Sequence, residues 1–104
     1  LVNKAIKYIN EHYTEKFSLD RIADSLYVNK IYLAKCFKDV TGDTLLHYHN
    51  QVRCEEACRL LTESDLSVEI ISSQVGFATS SHFARIFREI NSCSPSEYRR
   101  NHQK

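Results

Sequence analysis

Thr79-Ser80-Ser81-His82-Phe83-Ala84-Arg85-Ile86-Phe87-Arg88 carries two patterns at once. Its apolar residues Phe83, Ile86 and Phe87, with Ile90 just beyond, fall at i, i+3, i+4 and i+7, the spacing of one buried helix face. The free face carries Ser81, Ala84, Arg85 and Arg88. About fifty residues earlier the chain reads Asn29-Lys30-Ile31-Tyr32-Leu33-Ala34-Lys35-Cys36-Phe37-Lys38. There Leu33, Cys36, Phe37 and Val40 match the buried stripe one for one, and Ile31, Ala34, Lys35 and Lys38 match the free face. A repeat of this kind sets the architecture of the whole chain.

Working outward, each copy is preceded by a shorter apolar stripe. Leu19, Ile22, Ala23 and Leu26 form the first, and Val68, Ile71, Ser72 and Val75 the second. Ser18 and Ser67 stand where they can cap these helices, with Phe17 stapling onto Ile22 and Leu66 reaching Ile71. Tyr27-Val28-Asn29 and the one-residue-longer turn after Val75-Gly76-Phe77 lead to Asn29 and Thr79, each a good cap for the repeated helix. Helix, short turn, helix results in both copies. A helix over residues 2 to 13, with Val2, Ile6, Ile9 and Tyr13 on one face and Ala5 beside them, precedes the first.

Between the copies, Gly42 suits a left-handed helix end and Thr44 can cap a helix running to about Thr62. Its early apolar residues, Leu45, Tyr48 and Val52, lie near one direction, and its later ones, Cys54, Ala57, Cys58 and Leu61, lie roughly opposite. Such a helix packs against two partners and acts as a strut. Ser94-Pro95-Ser96-Glu97 is a capping box with proline at the first helical position, opening a short last helix through Tyr98, which echoes Tyr48. The expectation is an all-α chain of about seven helices: two helix-turn-helix subdomains of homeodomain-like three-helix type, residues 1–43 and 64–104, joined by a linker helix, 44–63.

The totals agree with this class. A chain of 104 residues is one compact unit or two very small ones, and one Pro with two Gly argues for helices over a sandwich or barrel. Formal net charge is only +1, so the distribution of charge carries the argument. Acids gather at Glu11, Glu15, Asp20, Asp24, Glu55, Glu56, Glu63, Asp65 and Glu69, while the repeated helices and the tail hold Lys30, Lys35, Lys38, Arg85, Arg88, Arg99 and Arg100. Four Cys with no signal-like start read as reduced thiols in a cytosol, and no apolar run is long enough to span a bilayer. A start at Leu1 and the absence of Met point to a fragment of a longer protein.

These residues resemble the DNA-binding domain of the AraC/XylS family of bacterial transcription regulators. The family pattern of aromatic or leucine, any residue, Arg/Lys, any residue, Phe, Lys/Arg, then glycine and Ser/Thr before a Tyr is met from Leu33 to Tyr48 and again from Phe83 to Tyr98. Val75-Gly76-Phe77 and the series Tyr48, Arg53, Ala57, Leu60, Leu61 also fit. The resemblance implies double-stranded DNA as ligand, RNA polymerase as a second partner, and a regulatory domain missing from the N-terminal side, with no cofactor. This chain departs from the pattern at Ser92, which stands at a usual glycine; at Ile70, which replaces a usual glutamate and removes a capping box; and at Ser72, which replaces a common alanine. The Ser72 hydroxyl then needs a partner such as the carbonyl one turn back.

In a helix-turn-helix the second helix enters the major groove and its first residues meet base edges. Lys30, Ile31, Ala34 and Lys35 are thereby expected to read one groove segment, and Thr79, Ser80, Ser81, Ala84 and Arg85 another. Arg85 can fork onto guanine O6 and N7, Lys35 does so less rigidly, and Ile31 and the alanines suit thymine methyl groups. Asn29, Lys38 and Arg88 are the expected phosphate clamps. A strut of about 19 residues would be about 28 Å long, close to the roughly 34 Å between groove faces one turn apart.

Other residues take structural readings. Phe37, Phe83, Phe87, Tyr48 and Tyr98 are core or supporting side chains, Arg53 an internal ion-pair partner, and His82 a packing or backbone-bonded group. Cys54, Cys58 and His47 invite a zinc site, but His47 stands about 10 Å along the helix axis from Cys54, too far to share one ion. No phosphate loop, nucleophile elbow or carboxylate pair suggests an enzyme. The competing class is a helical interaction module whose basic face binds an acidic partner.

Overall fold

A computed structural model describes residues 1–103, and among them the chain is all helical: α1 Val2–His12, α2 Leu19–Ser25, α3 Lys30–Thr41, α4 Leu45–Glu63, α5 Val68–Gln74, α6 Ser80–Asn91 and α7 Pro95–His102. It divides into two compact units, Leu1–Val52 and the remainder from Arg53 onward. The division falls within α4, so the helix expected as a separate strut gives its first half to one unit and its second half to the other.

The first unit closes around Ala5, Ile9, Ile22, Ala23, Leu33, Phe37 and Leu45, with Val2, Ile6, Phe17, Leu19, Tyr48 and Val52 packed at its edge. Burying each large apolar side chain contributes about 1.5–3 kcal/mol before conformational entropy is charged against it. On α1 the two fully buried positions are Ala5 and Ile9, whereas Val2 and Ile6, and Tyr13 just past its end, are half-buried, so Ala5 faces the core as squarely as Ile9. In the second unit the corresponding set is Cys54, Ala57, Leu61, Ile71, Val75, Phe77, Phe83, Ile86 and Phe87, all buried. The Phe87 ring meets Tyr98 edge-on at 5.6 Å, as Phe37 meets Tyr48 at 5.9 Å in the first unit.

The caps follow the sequence. Ser18, Asn29, Thr44, Ser67, Thr79 and Ser94 each accept a backbone N–H in the first turn of the helix that follows. α5 lacks a capping box because Ile70 stands where an acid would reach back, and α7 has one through Glu97.

Three expectations are corrected. Val40, aligned with the buried stripe, is 70% exposed, because the last turn of α3 runs past the end of the core that Leu33 and Phe37 enter. His82, expected at a half-buried position, is exposed, though its ring still packs edge-on against Phe77 at 5.4 Å, as a packing group would. The buried Ser72 hydroxyl donates not to a carbonyl one turn back but to the Thr79 carbonyl at 3.3 Å, tying α5 to the cap of α6.

Among the described residues, four have a positive φ. Gly42 (φ 76°) and Ser92 (φ 64°) end α3 and α6, and their N–H groups donate to the Lys38 and Arg88 carbonyls at 2.8 Å in both cases. Ser92 thus takes the glycine-type turn unchanged in shape and bears its backbone strain. The other pair, Tyr27 (φ 57°) and Gly76 (φ 103°), sits in the helix-turn-helix turns.

Candidate nucleic-acid interface

Each unit presents its second helix-turn-helix helix with a capped and exposed first turn. At the start of α3 the Asn29 carbonyl oxygen accepts from the N–H groups of Ile31 at 2.8 Å and Tyr32 at 3.2 Å. Capping consumes that oxygen and leaves the Asn29 amide N–H₂ as a donor, the right polarity for a phosphate oxygen. Ile31 is 74% exposed, while Ala34 is half-buried and packs against the core, so only part of its methyl faces outward. Lys35 and Lys38 are exposed and make no ion pair among the described residues. The Lys30 ammonium lies 3.0 Å from the Asp20 carboxylate of α2.

α6 opens the same way. The Thr79 hydroxyl accepts from the His82 N–H at 3.1 Å, leaving its own O–H free to donate. Ser80 and Ser81 follow as exposed hydroxyls, and Ala84 is half-buried like Ala34. Arg85 and Arg88 are exposed, but each meets a carboxylate: Glu89 at 3.4 Å and Glu97 at 3.6 Å. Solvent-exposed pairs of this kind contribute at most about 1 kcal/mol, so a phosphate or a guanine edge can displace them. Glu97 is the better-held partner. Its carboxylate also accepts from the Ser94 N–H at 3.1 Å, and these Ser94 bonds, followed by the Arg88 charge, hold its carboxyl below the usual carboxylate range.

The charge map therefore differs from the sequence expectation. Rather than cations segregated from acids, three of the five cations on α3 and α6 are laced to carboxylates of their own unit. Arg99, counted with the basic tail, is turned inward. Its guanidinium donates to the carbonyl of Leu61 in the last turn of α4 at 3.1 Å and to those of Ser64 at 3.3 Å and Leu66 at 2.6 Å in the connection that follows. Arg53 is buried with its guanidinium carbon 5.0 Å from the Phe77 ring centre, a cation–π contact within the second core, and burial pulls its pKa down. Burial likewise pushes the Cys54 thiol up to about 12, so it remains a protonated core group. No cluster of three or more His, Cys, Asp or Glu among the described residues is arranged to hold a metal. His47 instead sits 2.7 and 2.8 Å from the two Asp43 oxygens.

A family model described as a helix-turn-helix domain matches residues 22–101. The chain belongs to the helix-turn-helix family, in its AraC type. The AraC-type domain resembles the HTH-type transcriptional regulator YisR of Bacillus subtilis, with 34% identity over 97 residues, 93% of this chain and 34% of that protein. The domain thus spans about a third of the length of the curated relatives it matches. Among solved structures, the C-terminal domain of AraT, a response regulator from Geobacillus stearothermophilus, aligns with a TM-score of 0.95 at 30% identity, over 99% of this chain and 86% of that one. The DNA-binding domain of AdpA, a global transcriptional factor solved in complex with a target DNA, aligns with a TM-score of 0.88 at 27% identity, over 96% and 90%.

Two site features escape a reading by periodicity. Tyr27 stands in the left-handed position that glycine takes in the second turn, a mismatch that aligning Tyr27 with Gly76 across the repeat exposes. The Ser72 to Thr79 bond, which fixes the cap of α6, has no signal beyond an unexpected hydroxyl in a core stripe.

Proposed function

We propose that this AraC-type domain binds double-stranded DNA sequence-specifically and regulates transcription in bacteria, with α3 and α6 each entering a major-groove segment. The observation that carries the reading is the duplicated helix start: a capped, exposed first turn above a buried aromatic anchor, with a basic residue at the same two positions in each copy, Lys35 and Lys38 in one and Arg85 and Arg88 in the other. Lys30, Ile31, Ala34 and Lys35 read base edges from α3, and Thr79, Ser80, Ser81, Ala84 and Arg85 from α6. Asn29, Lys38 and Arg88 hold phosphates and set the register. Each subdomain supplies one reading helix, and two unlike helices call for a DNA sequence that is long and asymmetric rather than palindromic.

The role is binding rather than catalysis. Resemblance to the family supports RNA polymerase as a second partner, a regulatory domain on the N-terminal side, and residence in the cytoplasm, where such a regulator meets its DNA. Among the described residues no helix is long and apolar enough to cross a membrane.

Selection from a random duplex pool tests the reading. The expected result is one enriched sequence, bound with steep salt dependence. Arg85→Ala should relax preference at one guanine by about 1–3 kcal/mol. A pool with no enriched sequence, or salt-sensitive binding indifferent to duplex, would overturn it in favour of an acidic protein partner.

A further inference from the structure

The helix-turn-helix turns of the two units make the same backbone hydrogen bonds. Tyr27 N–H donates to the Asp24 carbonyl at 3.2 Å and Val28 N–H to the Ala23 carbonyl at 3.1 Å; Gly76 and Phe77 repeat this with Ser73 at 3.1 Å and Ser72 at 3.0 Å. Both turns need a residue with positive φ. Glycine fills that need without cost, whereas a tyrosine brings its Cβ too close to a carbonyl oxygen and strains the backbone. The strain purchases no packing, because Tyr27 is 95% exposed. Folding alone would favour glycine here, as it has glycine at the matching position. Backbone strain that packing does not call for clusters at sites of function.

Resting on the reading of α3 as a groove helix, we propose that Tyr27 is a DNA-backbone contact of the first unit. Its neighbours indicate the kind of partner. Ile31 and Tyr32 are also exposed, so three large apolar or aromatic residues stand bare within six positions, with Lys30 among them and Lys35 just beyond. A surface with apolar faces set among cations complements deoxyribose and thymine methyl groups set among phosphates. Tyr27 lies two residues before Asn29, within about 7 Å of chain from the amide expected to hold a phosphate. From there the ring packs on a sugar while the phenol O–H donates to a phosphate oxygen. Such a contact sets register and affinity without reading a base.

The test is a pairing of stability with affinity in the full chain. Tyr27→Gly removes the strain and no packing, so its melting temperature should rise by about 3–5 °C. Affinity for the selected duplex should fall about tenfold, and affinity for random duplex should fall in proportion. Tyr27→Asn, which tolerates the left-handed conformation, should lose affinity to the same degree, and Tyr27→Phe should lose a few-fold, reporting the hydroxyl. Ser92→Gly, the same relief in the second unit, should raise the melting temperature and leave affinity unchanged. Tyr27→Gly with unaltered DNA affinity would overturn the inference; so would unaltered affinity with a transcription defect that needs RNA polymerase, since the ring would then face a protein. If Arg85→Ala weakens binding and Tyr27→Gly does not, only the Tyr27 inference fails; if neither changes it, the groove reading of both helices fails.

Discussion

α3 and α6 share a cap type, a buried aromatic pair-partner and the register of their cations, yet they offer DNA different chemistry. The first presents apolar Ile31 and the strained Tyr27 beside Lys35 and Lys38, which have no acid partner among the described residues. The second presents Ser80 and Ser81 beside arginines already engaged, Arg85 by Glu89 and Arg88 by Glu97. The counterparts of those two acids show why. Asp39, aligned with Glu89, is one methylene shorter and makes no ion pair with Lys35 among the described residues; His47, aligned with Glu97, turns to Asp43. Similar stripes, anchored at Leu33 and Phe37 in one and at Phe83 and Phe87 in the other, built similar scaffolds, and a few carboxylates then left one set of cations unpaired and engaged the other. The first unit is suited to apolar and backbone contact, the second to directed hydrogen bonding by a guanidinium held in place.

The comparison can be broken first at the cores, where the units should be alike. Phe37→Ala and Phe87→Ala each leave a buried cavity and should each cost about 3–5 kcal/mol by chemical denaturation. Hydrogen exchange should lose protection first in the mutated unit; a much smaller cost for either variant would show that the two cores are not equivalent.

The helix ends come next. A Cβ at Gly42 would meet nothing within 4 Å, so Gly42→Ala should lose about 1 kcal/mol through backbone strain alone. Ser92→Gly, at the matching position, should gain about 0.5–1 kcal/mol. Changes of the same sign in the two variants would mean that the turns differ in a way their shared geometry hides.

The smallest effect sharpens the charge contrast. Glu97→Gln can keep the capping contact, since glutamine serves in a capping box, but it releases Arg88. DNA affinity at low salt should rise a few-fold, with the slope of log affinity against log salt steeper by up to about 0.9. Unchanged affinity and slope would show that Glu97 does not compete with phosphate.

Much of this was legible because it is local. The stripe Phe83, Ile86, Phe87 and the caps Ser18, Asn29, Thr44, Ser67, Thr79 and Ser94 depend on spacings of two to four residues, which helical geometry translates directly into contacts. Periodicity names a face but not where the core beneath it ends, so Val40 falls in register with the buried stripe and yet lies exposed. Arg99 read as a surface cation because its carbonyl partners are more than thirty residues away in the chain.

The sequence by itself determined the class, the duplication and the exposed faces of α3 and α6, since these follow from residue type at helical spacing. Only the tertiary structure decided which cations are restrained, that Arg53 and Arg99 belong to the second core and the end of α4, and that Tyr27 does the work of a glycine. Those outcomes depend on distances between residues far apart in the chain and on backbone angles set by packing, and neither is written in a local pattern.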